Sequence, residues 1–215
     1  MNVSDLKKAL RLYVIPDVDV GAPLSLLEQA ERAVEGGATA IQLRVKGVDG
    51  GALLETARAF RAATEGRALL IVNDRLDVAM LCGADGVHLG QGDIPVAEAR
   101  RLAGHPFIIG ASAHNPGEAV RAQEDGADYI GVGAVFSTGS KGNARVIGLD
   151  GLRETAAAAG LLIPVVAIGG VSAESLPSVV NAGAAGASVI SAAVRGDVAE
   201  NCRALRRTLD AMFTQ

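Results

Sequence analysis

The sequence has little that would commit it to redox, membrane or nucleic-acid work. Its two cysteines, Cys82 and Cys202, lie far apart and in no metal-ligand spacing. That argues against a disulfide framework or a thiolate metal site and for two small buried hydrophobes. Tryptophan is absent and aromatic residues make up 3% of the chain, which leaves no platform for stacking bases. The net charge is −4 with no basic run, so there is no phosphate-neutralising patch of the kind nucleic acids require. No apolar run approaches the ~18 residues that a membrane helix needs. Residues Met1 to Arg11 show no apolar signal segment either. These absences point to a cytoplasmic protein acting on small molecules, with no nucleic acid and no membrane as partner. They leave the oligomeric state open.

The 215 residues carry 49% hydrophobic side chains and 27 glycines, enough for one sizeable core with many turns. Residues 1–215 are read as a single domain, because no linker, low-complexity tract or charge block divides them. Short β-branched runs alternate with longer segments of helical period, the pattern of repeated βα units. Eight strands are expected, at Leu12–Ile15, Ala40–Leu43, Leu69–Val72, Gly86–Leu89, Phe107–Gly110, Tyr129–Val132, Val165–Ile168 and Ala187–Ile190. Helices between them include Ser25–Glu35, Gly51–Thr64, Val96–Leu102, Pro116–Glu124 and Ala173–Asn181. A Gly-Ala pair recurs at 37, 83, 126 and 183, each time before an even-numbered strand. Glycine is the residue that ends a helix in the left-handed region and hands the chain to a strand. Four such quarters predict a closed (β/α)8 TIM barrel, with a doubly wound open sheet as the alternative.

Barrel enzymes carry their chemistry on the loops after the strands, and polar residues gather there. After strand two, Gln42, Arg44 and Lys46 share one side of an extended segment, while Leu43 and Val45 face the other. Two cations in a barrel mouth need an anionic partner; a solvated loop is the plain alternative. Asp74 follows strand three and Asp93 follows strand four. Either could cap a helix. Together they suit Mg²⁺, which commonly binds through one or two carboxylates and substrate phosphates. Ser112, after strand five, reads as a turn serine or as a hydroxyl donor to phosphate; His114 reads as structural. After strand six, Phe136 to Ala144 form a glycine-interrupted loop with one lysine, suited to a lid or to ordinary exposure. Gly169-Gly170 and Ile190-Ser191, after strands seven and eight, fit a backbone phosphate site. The sum is two anion sites, one Mg²⁺-assisted at loops two to five and one metal-free at loops six to eight.

With these blocks in view, the sequence resembles the thiamine-phosphate synthase family over nearly its whole length. The similarity rests on Gln42-Leu43-Arg44-Val45-Lys46, Val72-Asn73-Asp74-Arg75, Gly86 to Asp93, Gly110 to His114, Thr138 to Lys141 and Gly169-Gly170. The resemblance implies a transferase that joins 4-amino-5-hydroxymethyl-2-methylpyrimidine diphosphate to thiazole phosphate, giving thiamine phosphate and pyrophosphate. By the same resemblance Gln42, Arg44, Lys46, Asn73, Ser112 and Lys141 hold the pyrimidine diphosphate, and Asp74 and Asp93 ligate Mg²⁺. Thr138, Ser140, Gly170, Ile190 and Ser191 hold the thiazole phosphate. Arg44, Lys46 and Lys141 are then the catalytic cations, stabilising the leaving group in a dissociative mechanism. Pro16, Val45, Ala134, Ser137 and Ser140 depart from the family's usual residues, and none of these changes removes a charge that the site requires. Two rivals remain, a thiazole tautomerase paralogue and a non-catalytic phosphate-binding barrel. The first has no use for the full set of cations and carboxylates.

Overall fold

The strands of this computed structural model close on themselves. It describes residues 1–139, 145–160 and 162–213. β1 (Leu12–Val14), β2 (Ala40–Leu43), β3 (Leu69–Asn73), β4 (Gly86–Leu89), β5 (Ile108–Ala113), β6 (Tyr129–Val132), β7 (Val165–Ile168) and β8 (Gly186–Val189) are all parallel and pair in chain order, with β8 returning to β1. The helices are α1 (Val3–Ala9), α2 (Leu26–Glu35), α3 (Gly50–Thr64), α4 (Leu76–Leu81), α5 (Val96–Ala103), α6 (Pro116–Glu124), α7 (Gly148–Ala159), α8 (Leu176–Asn181), α9 (Ser191–Val194) and α10 (Val198–Phe213). The closed barrel, not the open sheet, is the architecture.

Alternation along each strand sorts the core into two parts. Outward residues such as Ile41, Leu43, Leu70, Val72, Val87, Leu89, Ile130 and Val132 pack against the helices in one continuous cluster. Inward residues, among them Tyr13, Ala40, Ile71, Ile108, Tyr129 and Val166, form a second cluster inside the barrel. Leu6 and Leu10 join that inner cluster. Helix α1, which the sequence pattern did not suggest, is therefore a plug across the bottom of the barrel. Its start is capped by Asn2, whose side chain accepts the Asp5 amide at 2.9 Å.

The Gly-Ala repeat has the expected geometry. Gly37, Gly83, Gly126 and Gly183 have φ of 94°, 68°, 94° and 104°. The alanine after each donates its amide five residues back, as in Ala38 to Ala33 O at 2.9 Å and Ala127 to Ala122 O at 2.9 Å, the closure of a Schellman motif. Two elements differ from expectation by three residues at one end, and the other expected bounds hold to within one residue. β5 runs on to Ala113 because its ladder with β6 continues through Ala113 opposite Val132. α8 begins at Leu176, not at Ala173, because a serine turn comes first: the Ser172 amide donates to Ser175 Oγ at 2.9 Å.

Candidate active site

The C-terminal ends of the strands enclose a cavity of about 300 Å³. Gln42, the last inward residue of β2, is buried in its wall, and Arg44 and Lys46 continue the same side into the mouth. Leu43 is buried and Val45 packs against the outer core, which is why the polar members of the segment face the cavity. Among the described residues, neither Arg44 nor Lys46 makes a hydrogen bond or an ion pair.

Asn73 and Asp74 enter from the end of β3, and Asp93 from the loop after β4. Asp74 is not a helix cap: the N-cap of α4 is Arg75, with no side-chain hydrogen bond to the helix. Asp74 instead has φ 64°, a conformation that aspartate tolerates but that is uncommon outside glycine. Its amide is fixed by His88 O at 2.9 Å. Asp93 caps no helix either; its carboxylate accepts the Gly90 amide at 2.6 Å and closes the loop on itself. The two carboxyls face each other. Burial, then hydrogen bonding and repulsion from Asp93, raise the Asp74 carboxyl above its ordinary range, against the pull of Lys46 and Arg44. Like charges brought together in this way suit a cation.

Ser112, inward on β5, also lines the cavity. His114 reaches its rim, and its Nδ1 lies 2.9 Å from the Glu118 carboxylate, which also accepts the His114 amide at 2.8 Å. The opposite wall holds Thr138, Gly170, Ile190 and Ser191. Here the chain after β6 is zipped onto the loop after β7, with Val135 donating to Ile168 O and Phe136 to Gly169 O, both at 2.9 Å. Gly169 and Gly170 have φ of 95° and 65°, and a Cβ on Gly170 would sit 2.5 Å from Ser137 O. No other residue fits that approach. α9, one turn long, starts at Ser191, so the amides of Ser191 and Ala192 have no acceptor within the helix. A short extra helix after the last strand is a frequent phosphate cradle in barrels. Lys141 and Ser140 lie outside the described residues.

Sequence reasoning did not single out the floor of the cavity. Tyr13, His88 and Tyr129 all line it. Gln42 Nε2 donates to Tyr13 Oη at 2.7 Å, and the two tyrosine hydroxyls are 3.1 Å apart. Tyr129 Oη is 3.1 Å from His88 Nδ1, and His88 Nε2 is 3.0 Å from Ser112 Oγ. The available signal was period two: in β4, His88 alternates with the outward Val87 and Leu89. Ser188, inward on β8, is buried, and its hydroxyl has no partner among the described residues.

The profile of the family described as thiamine monophosphate synthase matches residues 12–193. The chain belongs to that family. It is 48% identical to the thiamine-phosphate synthase of Moorella thermoacetica, over 92% of this chain and 95% of the relative. It is 49% identical to the enzyme of that name from Methanoculleus marisnigri, over 91% and 93%. Among solved structures, thiamine phosphate pyrophosphorylase from Pyrococcus furiosus superposes with a TM-score of 0.88 at 41% identity, covering 96% of this chain and 98% of that one. Family membership thus spans every loop that forms the cavity. Among the described residues no group of three or more His, Cys, Asp or Glu converges. Asp74 and Asp93 are the two carboxylates this family member brings to the mouth.

Proposed function

We propose that the protein is a thiamine-phosphate synthase, a transferase that joins 4-amino-5-hydroxymethyl-2-methylpyrimidine diphosphate to thiazole phosphate with release of pyrophosphate. One observation carries this reading. The cavity has two unlike walls, with Arg44, Lys46 and the Asp74/Asp93 pair on one side and the Gly170 and Ser191 backbone on the other, and this supports two separate anion sites. A tautomerase handling one monophosphate needs only the second wall.

Asp74 and Asp93 fit Mg²⁺: two oxygen donors held close, with the remaining ligands left for water and phosphate. When bound, the ion would neutralise charge on the diphosphate and its leaving group. Arg44 and Lys46 hold the departing pyrophosphate from the other flank, with Lys141 joining them by family resemblance. Gln42, Asn73 and Ser112 orient the pyrimidine diphosphate. Thr138 and Ser140, with the backbone at Gly170, Ile190 and Ser191, hold the thiazole phosphate so that its ring nitrogen faces the reacting methylene. Alignment and charge stabilisation then supply most of the acceleration. No protein nucleophile is required. Neither cysteine lines the cavity, and burial pushes the Cys202 thiol up to about 12.

Among the described residues no helix is long and apolar enough to cross a membrane, and the reading places the reaction in the cytoplasm, carried by residues 1–215 as one catalytic domain. The test is incubation with both substrates, with Mg²⁺ or with excess chelator, while following thiamine phosphate and pyrophosphate. Equimolar formation of both, dependent on Mg²⁺, is expected. Thiazole isomerisation without coupling overturns the reading, and full activity in chelator overturns the metal.

A further inference from the structure

The floor of the cavity is a row of five polar side chains that crosses the barrel from β2 to β5. We infer that Gln42, Tyr13, Tyr129 and His88 form a one-way hydrogen-bond chain that commits the Ser112 hydroxyl to donate toward the bound diphosphate. The inference rests on the synthase reading for the identity of the anion and on the orientation of the Gln42 amide for the direction of the chain.

The direction follows from counting protons. With the Gln42 amide placed nitrogen-first toward Tyr13, Nε2 lies 2.7 Å from Tyr13 Oη, and an amide nitrogen can only donate. Tyr13 and Tyr129 are both fully enclosed, and burial raises both phenols, so each keeps its single proton. Among the described residues Tyr13 Oη has two neighbours, Gln42 and Tyr129. Having accepted from the first, it must give its proton to the second, or leave a buried donor unmade at a cost of about 1–3 kcal/mol. Tyr129, having accepted from Tyr13, gives its proton to His88 Nδ1. A neutral imidazole that accepts at Nδ1 carries its hydrogen on Nε2, which therefore donates to Ser112 Oγ at 3.0 Å. The Ser112 hydrogen is then turned away from His88 and into the cavity. Ring packing holds the relay in place, with Tyr13 and Tyr129 edge to face at 6.2 Å between centroids and His88 at 5.6 Å from Tyr129. Gly110 makes room, since a Cβ there would lie 2.1 Å from the Tyr129 ring.

The opposite polarity would have His88 protonated at Nδ1 and accepting from Ser112, which would then present lone pairs to a polyanion. Tyr13, Tyr129 and His88 are thus positioning residues acting through Ser112. In this scheme Tyr129 contributes to anion affinity only while Ser112 has a hydroxyl.

Two measurements test this. The first is the tautomer of His88 in the unliganded protein, read from two-bond ¹H–¹⁵N correlations. The chain has three histidines, and His88→Gln identifies the signal. The Nε2–H form is expected, and the Nδ1–H form overturns the chain whatever the protein's function. The second is a double-mutant cycle on binding of pyrophosphate with Mg²⁺ by calorimetry. Tyr129→Phe is expected to weaken binding about tenfold in the parent protein and by less than about twofold in Ser112→Ala. An equal loss in both backgrounds overturns the relay and leaves Tyr129 a packing residue. If the parent protein binds no pyrophosphate, the synthase reading fails and the tautomer alone decides the chain.

Discussion

The two ends of the barrel use charge in opposite ways. At the bottom, Asp85 accepts the Leu70 amide at 2.7 Å and the Arg61 guanidinium at 2.8 Å. Asp128 repeats the device one quarter later, taking the Ile109 amide at 2.7 Å and the Arg100 guanidinium. Arg100 also donates to the carbonyls of Gly104 and Phe107, both at 2.7 Å, and to Gly126. In the first quarter Thr39 does the same work with a hydroxyl, accepting the Leu12 amide at 3.0 Å. Each of these four charges has a partner inside the protein, and the two aspartates tie one strand start to the next. At the top, Arg44 and Lys46 act on Asp74 only at a distance, with no ion pair within 4 Å among the described residues, and two carboxyls repel each other. The bottom is arranged for stability and the top for a ligand that completes it.

The sharpest way to break this contrast is to neutralise one charge at each end. Asp93→Asn is expected to lower kcat/KM on the order of 10²–10³-fold, the cost of losing one transition-state stabilising group, with a melting temperature close to that of the parent. Steady-state kinetics beside a thermal melt checks it; a variant that loses stability but keeps its rate returns Asp93 to a purely structural role. At the bottom, Arg100→Ala leaves Asp128 unpaired and three carbonyls without a donor. Removing one member of a largely buried pair costs about 3–5 kcal/mol, or roughly 10 °C in a chain of this size. Turnover per folded molecule should be unchanged, as read by kinetics below the transition against the folded fraction from circular dichroism.

The smallest effect is the pH response of the apo protein. The Asp74 carboxyl is raised in the folded state, first by burial and then by Asp93. Its ionised form therefore weighs against folding above that raised value, and the penalty vanishes as pH falls through it. In chelator, Asp74→Asn is expected to be more stable than the parent at neutral pH by less than about 1 kcal/mol, because the group is partly open to solvent. That gain should fade as pH falls through the carboxylate range. Thermal melts from acid to neutral pH check the sign, and a stability loss at neutral pH would show that Asp74 is held by favourable contacts.

Much of the framework was legible in the chain. Ala40–Leu43, Gly86–Leu89, Tyr129–Val132 and Val165–Ile168 are strands with the bounds expected from β-branched runs between turn residues, and the Gly-Ala repeat marked the quarters. The residues expected at the strand ends, from Gln42 to Ser191, do lie around one cavity within the described chain, since strand-end polarity in a closed barrel converges by geometry. Helix α1 was not legible, because two leucines in a short polar stretch acquire meaning only when a barrel mouth exists for Leu6 and Leu10 to fill.

What the sequence determined by itself is local: where strands start, where helices stop, and that polar side chains follow apolar strands. Those outcomes depend on backbone preferences and on periodicities of 2 and 3.6, which act over a few residues. Tertiary structure alone decided which distant groups meet. Tyr13 and Tyr129 are 116 positions apart and their hydroxyls lie 3.1 Å from each other; Asp74 faces Asp93 only because β3 and β4 end side by side. Such meetings are set by barrel closure and strand register, which are properties of all eight strands together.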